Sequence, residues 1–428
     1  LRMSRGLGDV YKRQINICMI SINNKQDCCG CTACAERCPQ RCICMREDEE
    51  GFLYPIVDVE KCIGCNICEK VCPIINRGEI NSTFRIYATA NPDEETRKQS
   101  SSGGIFTLIA ESVINTGGVV FGAKFDENWE VCHSFTETKE GLDDFRGSKY
   151  VQGRMEDNYK EVERFLKGGR KVLFSGTPCQ ISGLKHFLRK EYENLLTVDF
   201  ICHGVPSPMV WRMFLDETIA RQCEKNSVLS FPISRRNTHI KGISFRNKRL
   251  GWKKYSFALS LSTTGRSGDK NTVLLSEPLT KNIFLRGFMS NLYLRPSCYA
   301  CKVREFRSSS DLTLADCWGL QSIYPKLDDD RGYSLCILKN NRFDVCLSSL
   351  DLHSVSIDFI KINNRSCFVS PIIPSKRSDF FSDIYNGSSV TQTISRYATF
   401  PDKSIKAKII HLLQWMGVYL LLRKMIKR

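Results

Sequence analysis

Eight cysteines near the N-terminus follow one spacing twice, and that spacing is typical of ligands to iron–sulfur clusters. Each copy has the form C-x2-C-x2-C-x3-C-P and ends at a proline, Pro39 or Pro73. In chains with two such runs, three cysteines of one run hold one cubane and the fourth reaches across to the other cubane. The spacing therefore predicts two 4Fe–4S clusters. The predicted ligand sets are Cys28, Cys31, Cys34 with Cys72, and Cys62, Cys65, Cys68 with Cys38.

Structural zinc and disulfides are the alternative roles for closely spaced cysteines. Zinc sites use two C-x2-C pairs and need neither a third cysteine two residues further on nor a repeated Cys-Pro. Disulfides belong to oxidising compartments, whereas the sequence has no apolar segment typical of a secretory signal. We therefore expect reduced cysteines, a cytoplasmic location and electron transfer.

Composition and charge favour a globular redox protein over one that binds nucleic acid. The chain has 428 residues, 42% of them hydrophobic, which suggests two or three domains. Its formal charge is +16, but a cubane with four thiolates carries about two negative charges, so three sites would lower the balance to roughly +10. That charge is spread along the chain and concentrated near the C-terminus, which does not predict a nucleic-acid groove. An acidic electron carrier or an acidic substrate is the better partner.

Beyond the cysteine runs, strands and helices alternate in the order typical of an α/β sheet. Residues 172–175 and 195–201 read as buried strands, each followed by a loop and a helix. Such repeats favour a largely parallel sheet whose functional loops share one edge. In residues 233–261 apolar residues recur at every second position, and this alternation predicts a β-hairpin insertion. No run of 18 or more apolar residues occurs, so the sequence predicts no bilayer-spanning helix.

The region that carries the two cysteine runs reads as a ferredoxin-like α+β module. Residues 52–57 supply strand material between the runs. The acidic stretch 47–50 is most simply a solvated turn.

Four further cysteines stand out by their loops. Cys179 and Cys202 follow the two predicted parallel strands, where open α/β sheets place their ligands, and Cys298 and Cys301 form another C-x2-C. Together they suffice chemically for a third cubane. The alternative is that lone cysteines act as small buried hydrophobes. We assign that role to the remaining cysteines, among them Cys18, Cys29, Cys132, Cys223, Cys317 and Cys336.

Four segments of the sequence together form a recognisable pattern. They are Gly176-Thr177-Pro178-Cys179-Gln180, Cys202-His203-Gly204-Val205-Pro206-Ser207, Cys298-Tyr299-Ala300-Cys301 and Asp311-Leu312-Thr313-Leu314-Ala315-Asp316-Cys317-Trp318-Gly319. In this order they resemble the coenzyme F-420 hydrogenase/dehydrogenase beta subunit family. It includes the beta subunit of deazaflavin-reducing hydrogenase and formate dehydrogenase and the plant hydroxymethyl chlorophyll reductase. The resemblance runs from about Arg85 to Leu338 and is preceded by the two-cluster ferredoxin module.

The resemblance implies an FAD-containing iron–sulfur oxidoreductase whose third 4Fe–4S cluster lies beside the flavin. It implies that Cys179, Cys202, Cys298 and Cys301 hold this cluster. Glycines before a helix suit flavin binding, because they let the backbone approach a pyrophosphate at the helix N-terminus. The residues implied for flavin binding are Ser101, Ser102, Gly103, Gly104, Lys149, Gly176 and Thr177.

Each of these roles has an ordinary structural alternative. A Ser-Gly turn before a helix often serves only as a helix cap. Lys149 is predicted to bind phosphate or to stabilise reduced flavin, but it can equally be a solvated surface lysine. His203, next to Cys202, is predicted to donate a proton to a substrate, and its alternative is a structural hydrogen bond. Asp199 and Asp316 are expected to orient backbone N–H groups.

The predicted function is conversion between one-electron and two-electron chemistry, because clusters pass single electrons whereas a flavin also exchanges pairs. We predict an enzyme that relays electrons between ferredoxin-type clusters and FAD and exchanges hydride with an organic substrate or a deazaflavin-like coenzyme. Its electron partner would be a ferredoxin or another redox subunit. The first alternative is an electron-transfer subunit with no small-molecule substrate of its own. The second is a zinc-stapled scaffold.

Changes in composition and in the pattern of apolar residues along the chain predict six segments. The last of them is a basic amphipathic helix that would lie on an anionic membrane surface, dock on a partner or pack on its own protein. The expected segments are 1–18, a leader that is not native; 19–78, the two-cluster domain; 79–165, the N-terminal part of the flavin domain; 166–345, its C-terminal part with the third cluster site; 346–403, an irregular region; and 404–428, the basic helix.

Overall fold

The computed structural model describes residues 19–80, 83–226, 238–264 and 270–398. The expected leader and the expected basic helix at 404–428 lie outside these ranges. The α-helices are α1 Ala33–Arg37, α2 Ile67–Lys70, α3 Glu94–Gln99, α4 Ile105–Asn115, α5 Asn158–Lys167, α6 Pro178–Leu188, α7 Pro208–Asn226, α8 Ile283–Met289, α9 Asp344–Leu347, α10 Ile357–Asn363, α11 Arg377–Tyr385 and α12 Val390–Tyr397. The strands are β1 Ile43–Glu47, β2 Leu53–Val57, β3 Arg85–Thr89, β4 Val119–Phe125, β5 Val131–Thr136, β6 Val172–Gly176, β7 Leu195–Phe200, β8 Thr238–Asn247, β9 Ser256–Thr264, β10 Lys270–Pro278, β11 Leu312–Asp316, β12 Ser334–Leu338 and β13 His353–Ser354.

The N-terminal region is built from two equivalent halves around the antiparallel β1–β2 hairpin. Each cysteine run forms a tight loop with two residues in the left-handed conformation, Gly30 and Thr32 in the first and Gly64 and Asn66 in the second. A short helix follows each loop, α1 or α2, and carries the third cysteine of its run. Left-handed turns at matching positions fold both loops back on themselves. The two runs are therefore alike in backbone as well as in sequence.

Eight strands form one mixed sheet in the order β13-β3-β12-β11-β7-β6-β4-β5. Only β11, β7, β6 and β4 run parallel to one another, and the flanking pairs are antiparallel. The prediction of a largely parallel sheet is therefore wrong. The short β4–β5 connection explains one antiparallel edge, because two strands joined by a tight turn can pair only in that direction.

The insertion between α7 and α8 contains three antiparallel strands in the order β10-β9-β8, one more than the predicted hairpin. Residues 227–237, where that prediction began, lie outside the described ranges. The insertion packs through Phe245 and Phe257 against Trp211 of α7 and Phe284 of α8, all of them buried. This aromatic core fixes β8 beside the large sheet.

Helices occupy much of the segment 346–403 that we expected to be irregular. Helix α10 packs below β12 and β3 through Phe359 and Ile360, and α11 and α12 join the aromatic core through Phe380 and Ile394. The helical spacing of apolar residues extends over only about two turns in each of these helices, so the sequence gave only a weak helical signal.

The cluster module is fixed to the large domain by buried polar contacts. The Glu36 carboxylate accepts hydrogen bonds from the backbone N–H groups of Tyr159, at 3.0 Å, and Lys160, at 3.2 Å. These amides belong to the first turn of α5, whose free donors and positive dipole favour a carboxylate. On the opposite side, Arg377 of α11 forms an ion pair with Glu50, with Nη1 at 2.6 Å from Oε1. The acidic stretch 47–50 is therefore not simply a solvated turn.

Replacing Glu50 with alanine should destabilise the protein by about 3 kcal/mol, because it leaves the Arg377 guanidinium without its counter-ion in a buried setting. Both side chains of the pair are only 13% exposed. Urea unfolding under anaerobic conditions measures the loss. Glu60→Ala removes an exposed carboxylate and should change stability by less than about 0.5 kcal/mol. Equal effects of the two substitutions would show that the Glu50–Arg377 pair does not hold α11 to the module.

Candidate iron–sulfur centres and flavin site

The first predicted cluster position, here called the inner site, consists of Cys28, Cys31, Cys34 and Cys72. Burial raises the pKa of the Cys34 thiol, and the neighbouring Cys28 and Cys72 thiols raise it further. Burial likewise raises the pKa of Cys72, with a contribution from Cys28. The fourth cysteine of the second run thus lies among the first three of the first run, as the predicted exchange of ligands requires.

The second predicted position, here called the outer site, consists of Cys38, Cys62, Cys65 and Cys68, which line one cavity of about 340 Å³. The backbone N–H of Ile20 donates to Cys68 Sγ at 3.3 Å. Cys65 is exposed, whereas Cys31 and Cys34 of the inner site are buried. The outer site is therefore the one that an external partner can approach.

Cys42 is an additional cysteine at the outer site that sequence reasoning missed. Its Sγ lies 3.3 Å from Cys38 Sγ, and it lines the same cavity. Burial raises its pKa to about 12, and the Cys38 and Cys62 thiols add to that shift. The only signal in the sequence is a C-x3-C that overlaps the end of the first run.

Cys179, Cys202, Cys298 and Cys301, here called the third site, line a single cavity of about 740 Å³. The pairing of β6 with β7 explains the first two, because Gly176 lies opposite Asp199 and both loops leave the same sheet edge. The 3-10 turn Pro296–Ala300 presents the other two. The structure thus brings together four cysteines from three separate segments of the sequence, and their role as ligands stays a prediction.

Hydrogen bonds fix the loops of the third site. Thr177 Oγ1 lies 3.1 Å from Cys179 Sγ and shares a capping box with Gln180 at the start of α6. The Val205 N–H donates to Cys298 Sγ at 3.4 Å. Arg304 donates to the carbonyl oxygens of Cys202, at 3.0 Å, and of His203. Gly176 and Thr177 therefore belong to the surroundings of this site.

His203 is engaged at both ring nitrogens. Nε2 lies 2.6 Å from Asn291 Oδ1 and Nδ1 lies 3.2 Å from Ser366 Oγ. Burial lowers the pKa of His203 despite the bond to Asn291, which favours the neutral form of the ring. Its edge faces Phe288, with ring centroids 5.4 Å apart. Proton transfer by His203 would require one of these bonds to open.

The inner and third sites are adjacent. Cys29 packs in one buried cluster with both Cys31 of the inner site and Cys179 of the third site. Gln26 and Ile74 of the cluster module also line the third-site cavity. The outer, inner and third sites therefore follow one another from the surface of the module into the large domain.

The turn Ser101–Gly104 lies where α4 meets the large sheet. Ser101 Oγ accepts a hydrogen bond from the Ser148 N–H at 2.7 Å, which ties the turn to the loop that carries Lys149. A Cβ built on Gly103 would lie 2.5 Å from the Ser334 backbone nitrogen, so this position requires glycine. Gly104 adopts a φ of 81° at the start of α4, and no side chain caps the amides of the first turn. These free amides fit a phosphate.

Lys149 is half-buried rather than a solvated surface lysine. Its Nζ donates to the carbonyl oxygens of Arg146 and Gly147, both at 3.3 Å, and lies 5.8 Å from the Phe125 ring centroid. Burial lowers the pKa of Lys149 to about 8. A lysine with such a pKa can hold or release a proton close to neutral pH.

The lowered pKa of Lys149 predicts a measurable pH dependence. Between the folded pKa of about 8 and the ordinary value of 10.5, the unfolded chain binds a proton that the folded chain does not, so stability rises with pH. Relative to Lys149→Met, the wild type should gain about 2 kcal/mol between pH 8 and 10. Urea unfolding at each pH measures this difference. Lys98→Met, at an exposed lysine, is the control. If the free energy of unfolding changed with pH to the same extent in both variants, the lowered pKa of Lys149 would be contradicted.

Arg246, on β8, and Lys248, directly after this strand, were not predicted to be functional. Lys248 Nζ donates to the Ser102 carbonyl oxygen at 2.6 Å and thereby joins the insertion to the predicted flavin turn. Arg246 forms an ion pair with Asp316, and both charges act on Tyr150, next to Lys149. Asp316 therefore binds a guanidinium rather than the expected backbone N–H groups. Nothing in the spacing of this strand marked these residues.

Three nitrogen atoms in this region are buried without a hydrogen-bond partner, namely Arg246 Nε, Arg246 Nη2 and Trp252 Nε1. Leaving such donors unpaired costs about 1–3 kcal/mol each, so they point to a polar ligand. Trp252 stacks on Trp318 with centroids 4.2 Å apart, which adds an aromatic surface. The residues present thus fit a large polar ring system or phosphate of the kind that FAD carries.

Asp199, like Asp316, departs from its predicted role. Its carboxylate accepts hydrogen bonds from the hydroxyl groups of Ser308 and Thr313 rather than from backbone N–H groups. It therefore fixes β7 to β11 below the third site.

Comparisons with known proteins place the chain among iron–sulfur redox proteins. Residues 55–74 match the 4Fe-4S binding domain. Residues 169–353 match the C terminus of the beta subunit of coenzyme F420 hydrogenase/dehydrogenase. The resemblance predicted from the sequence is thus confirmed over these two ranges, one similar to an iron–sulfur domain and the other to the C-terminal domain of that beta-subunit family.

One solved structure is similar over most of the chain, that of the xenon-derivatized F420-reducing [NiFe] hydrogenase complex from Methanosarcina barkeri. The alignment covers 73% of this chain and 92% of the other, with 15% identity and a TM-score of 0.40. No curated protein matches the sequence.

The described residues contain neither a preformed site for a single metal ion nor a bilayer-spanning helix. No three His, Cys, Asp or Glu side chains in this part of the chain are arranged to hold a single metal ion. No helix in the same ranges is both long and apolar enough to cross a bilayer.

Proposed function

We propose that the chain is an iron–sulfur flavoprotein oxidoreductase that relays single electrons between ferredoxin-type 4Fe–4S clusters and FAD and exchanges hydride with an organic substrate or a deazaflavin-like coenzyme. The observation that carries this proposal is the third site, where Cys179, Cys202, Cys298 and Cys301 line one cavity next to the inner site. Four thiols at the edge of a sheet, beside a module with two cysteine runs, favour electron transfer over a zinc scaffold.

The cysteines of the inner, outer and third sites would hold three 4Fe–4S clusters. Clusters exchange single electrons and a flavin exchanges one or two, so together they connect the two kinds of chemistry. Backbone groups of the chain would influence the reduction potentials of the clusters. The N–H groups of Ile20 and Val205 donate to cysteine sulfurs, and such bonds raise the reduction potential of a cluster. Arg304 holds the loop of Cys202 and His203 in place.

The flavin would lie between the Ser101–Gly104 turn, Lys149 and Arg246. The uncapped amides of α4 would bind its phosphates, and the unpaired Arg246 donors would meet polar atoms of the ring or chain. Lys149, with its pKa lowered to about 8, can hold or release a proton beside the ring. Phe288 connects this region with the third site, because it stacks on Tyr150 at 4.9 Å and faces His203 at 5.4 Å.

The division into a cluster domain at 19–78 and a flavin domain at 79–345 is part of this proposal. Its two parts, 79–165 and 166–345, contribute strands to the same sheet, which favours one folding unit. A ferredoxin or redox subunit would approach the exposed Cys65, beside Ile63, which is 63% exposed.

The second candidate function is an electron-transfer subunit with no small-molecule substrate of its own. The description of the matching family as a beta subunit favours it. Gel filtration of the native protein, followed by turnover assays on the lone chain, separates the two. Turnover of a small molecule by the isolated chain would reject the subunit function.

Anaerobic purification with analysis of iron, acid-labile sulfide and extracted FAD tests the proposal. We expect about 12 iron atoms per chain, for three clusters of four, together with one FAD and broad absorbance near about 400 nm. Zinc without iron or sulfide in a folded preparation would end the redox proposal. Iron without flavin would favour the second candidate.

A further inference from the structure

Arg295 is a fully buried guanidinium, 0% exposed, that lies between the inner and the third site. Its Nε donates to the Cys28 carbonyl oxygen at 2.8 Å, its Nη1 to Gln152 Oε1 at 2.9 Å and its Nη2 to the Leu53 carbonyl oxygen at 2.9 Å. The Tyr54 ring covers it, with its centroid 4.3 Å from Cζ. All three oxygen acceptors are neutral, so the positive charge is not compensated by any of them.

Among the other buried or part-buried arginines of the described ranges, several have carboxylate partners, whereas Arg304, beside the third site, also donates only to neutral oxygens. Arg97 pairs with Asp329, Arg246 with Asp316 and Arg377 with Glu50. A buried ion without a counter-ion costs several kcal/mol. Arg295 thus needs a negative charge that the oxygen atoms around it do not supply.

The nearest candidate for that charge is the inner site. Arg295 Nη2 lies 3.6 Å from Cys28 Sγ, a ligand predicted from the spacing. A cubane held by four thiolates carries about two negative charges, and each added electron makes it more negative by one. A fixed guanidinium at this distance therefore compensates the cluster and favours its reduced form.

We propose that Arg295 is the counter-ion of the inner cluster and raises its reduction potential relative to the outer cluster. The inference rests on the proposed function, which places a cluster at Cys28, Cys31, Cys34 and Cys72. In the one-electron reduction, the electron comes from an external donor and stays on the cluster, and Arg295 keeps its protons. The outer ligand Cys68 receives backbone N–H groups, among them those of Ile20 and Glu69, rather than a guanidinium. Electrons would thus move downhill from the outer to the inner site.

An anaerobic redox titration of the full chain with dithionite, followed by EPR, tests this role. Arg295→Met should lower the reduction equilibrium constant of one cluster at least tenfold, which is 59 mV for one electron. Arg295→Lys keeps the charge and should give a smaller shift. Gln152→Glu keeps the acceptor for Nη1 but adds a carboxylate that neutralises Arg295, so it should shift the potential in the same direction as Arg295→Met.

Gln152→Glu keeps the proposal testable if the arginine variants do not fold, because it preserves every hydrogen bond of Arg295. Arg154→Met is the matched control, since Arg154 is already paired with Asp126 at 2.6 Å, and it should leave all potentials unchanged. Unchanged reduction potentials in Gln152→Glu would overturn the counter-ion role of Arg295. An equal fall in potential in Arg295→Lys and Arg295→Met would overturn it as well. Neither result would contradict the presence of the clusters. A wild type without any 4Fe–4S signal would overturn the proposed function itself, and this inference with it.

Discussion

Replacing Cys202 with alanine should lower the iron content from about 12 to about 8 atoms per chain, because one of three four-iron clusters loses a ligand. The inner and outer clusters should keep their EPR signals, since Cys202 lies in the loop after β7 and not in the N-terminal module. Flavin bound to the variant should no longer be reduced through the N-terminal clusters. Iron analysis, EPR and the bleaching of flavin absorbance after addition of dithionite-reduced ferredoxin measure the three effects.

Cys336→Ala is the matched control for this prediction. Cys336 is a fully buried cysteine on β12, in the sheet whose edge carries the Cys202 loop, but it does not line the third-site cavity. It should keep all of the iron and lose at most a modest amount of stability, about 1 kcal/mol. If Cys202→Ala retained as much iron as this control, the third site would not hold a cluster and its cysteines would be small buried hydrophobes.

The second large effect concerns the exchange of ligands between the two cysteine runs. Replacing Cys72 with alanine should remove the inner cluster, although the other three inner ligands, Cys28, Cys31 and Cys34, belong to the first run. Iron should again fall by about four atoms per chain, and the magnetic coupling between the two reduced N-terminal clusters should disappear from the EPR spectrum. Electron delivery to the flavin should be lost, because the inner site is the one next to Cys179.

A substitution in the first run distinguishes two arrangements. In one, each cluster takes its fourth ligand from the other run; in the other, each run holds one cluster by itself. Cys38→Ala should remove the outer cluster and leave the inner one, whose EPR signal would then stand alone. Cys44→Ala, an exposed cysteine on β1, is the control and should change neither the iron content nor the spectrum. Loss of the inner signal in Cys38→Ala would show that each run holds its own cluster.

The sequence predicts best those parts of the molecule whose chemistry is local. The two cysteine runs determine their own loops, because Gly30 and Gly64 allow the same left-handed turn and the following residues start a helix. The strands before Cys179 and Cys202 were predictable from their apolar runs, and the parallel pairing of β6 and β7 brings the two loops to one edge. The C-x2-C spacing marked Cys298 and Cys301 as candidate ligands beside Cys179 and Cys202, but no local pattern encodes the position of their turn in the fold.

Long-range contacts account for most of what the sequence did not predict. Arg246 lies in the inserted sheet, and its approach to Asp316 depends on the packing of Phe245 and Phe257 against α7. The mixed character of the large sheet depends on where β3 and β12 pair, which periodicity does not reveal. The expectation that Glu50 is solvated was wrong because its partner, Arg377, lies more than three hundred positions away in the sequence.

The hydrogen bonds between Glu36 and the first turn of α5 affect how electrons would pass from the N-terminal module into the large domain. A ferredoxin domain on a loose tether must swing between a loading position and a delivery position, and its throughput is then limited by that excursion. Here the carboxylate of Glu36 is joined to the amides of Tyr159 and Lys160, and Arg295 reaches back to Cys28. Under the proposed function, these contacts would hold the two N-terminal clusters at a fixed separation from the third cluster, so that electrons would pass without a movement of the module.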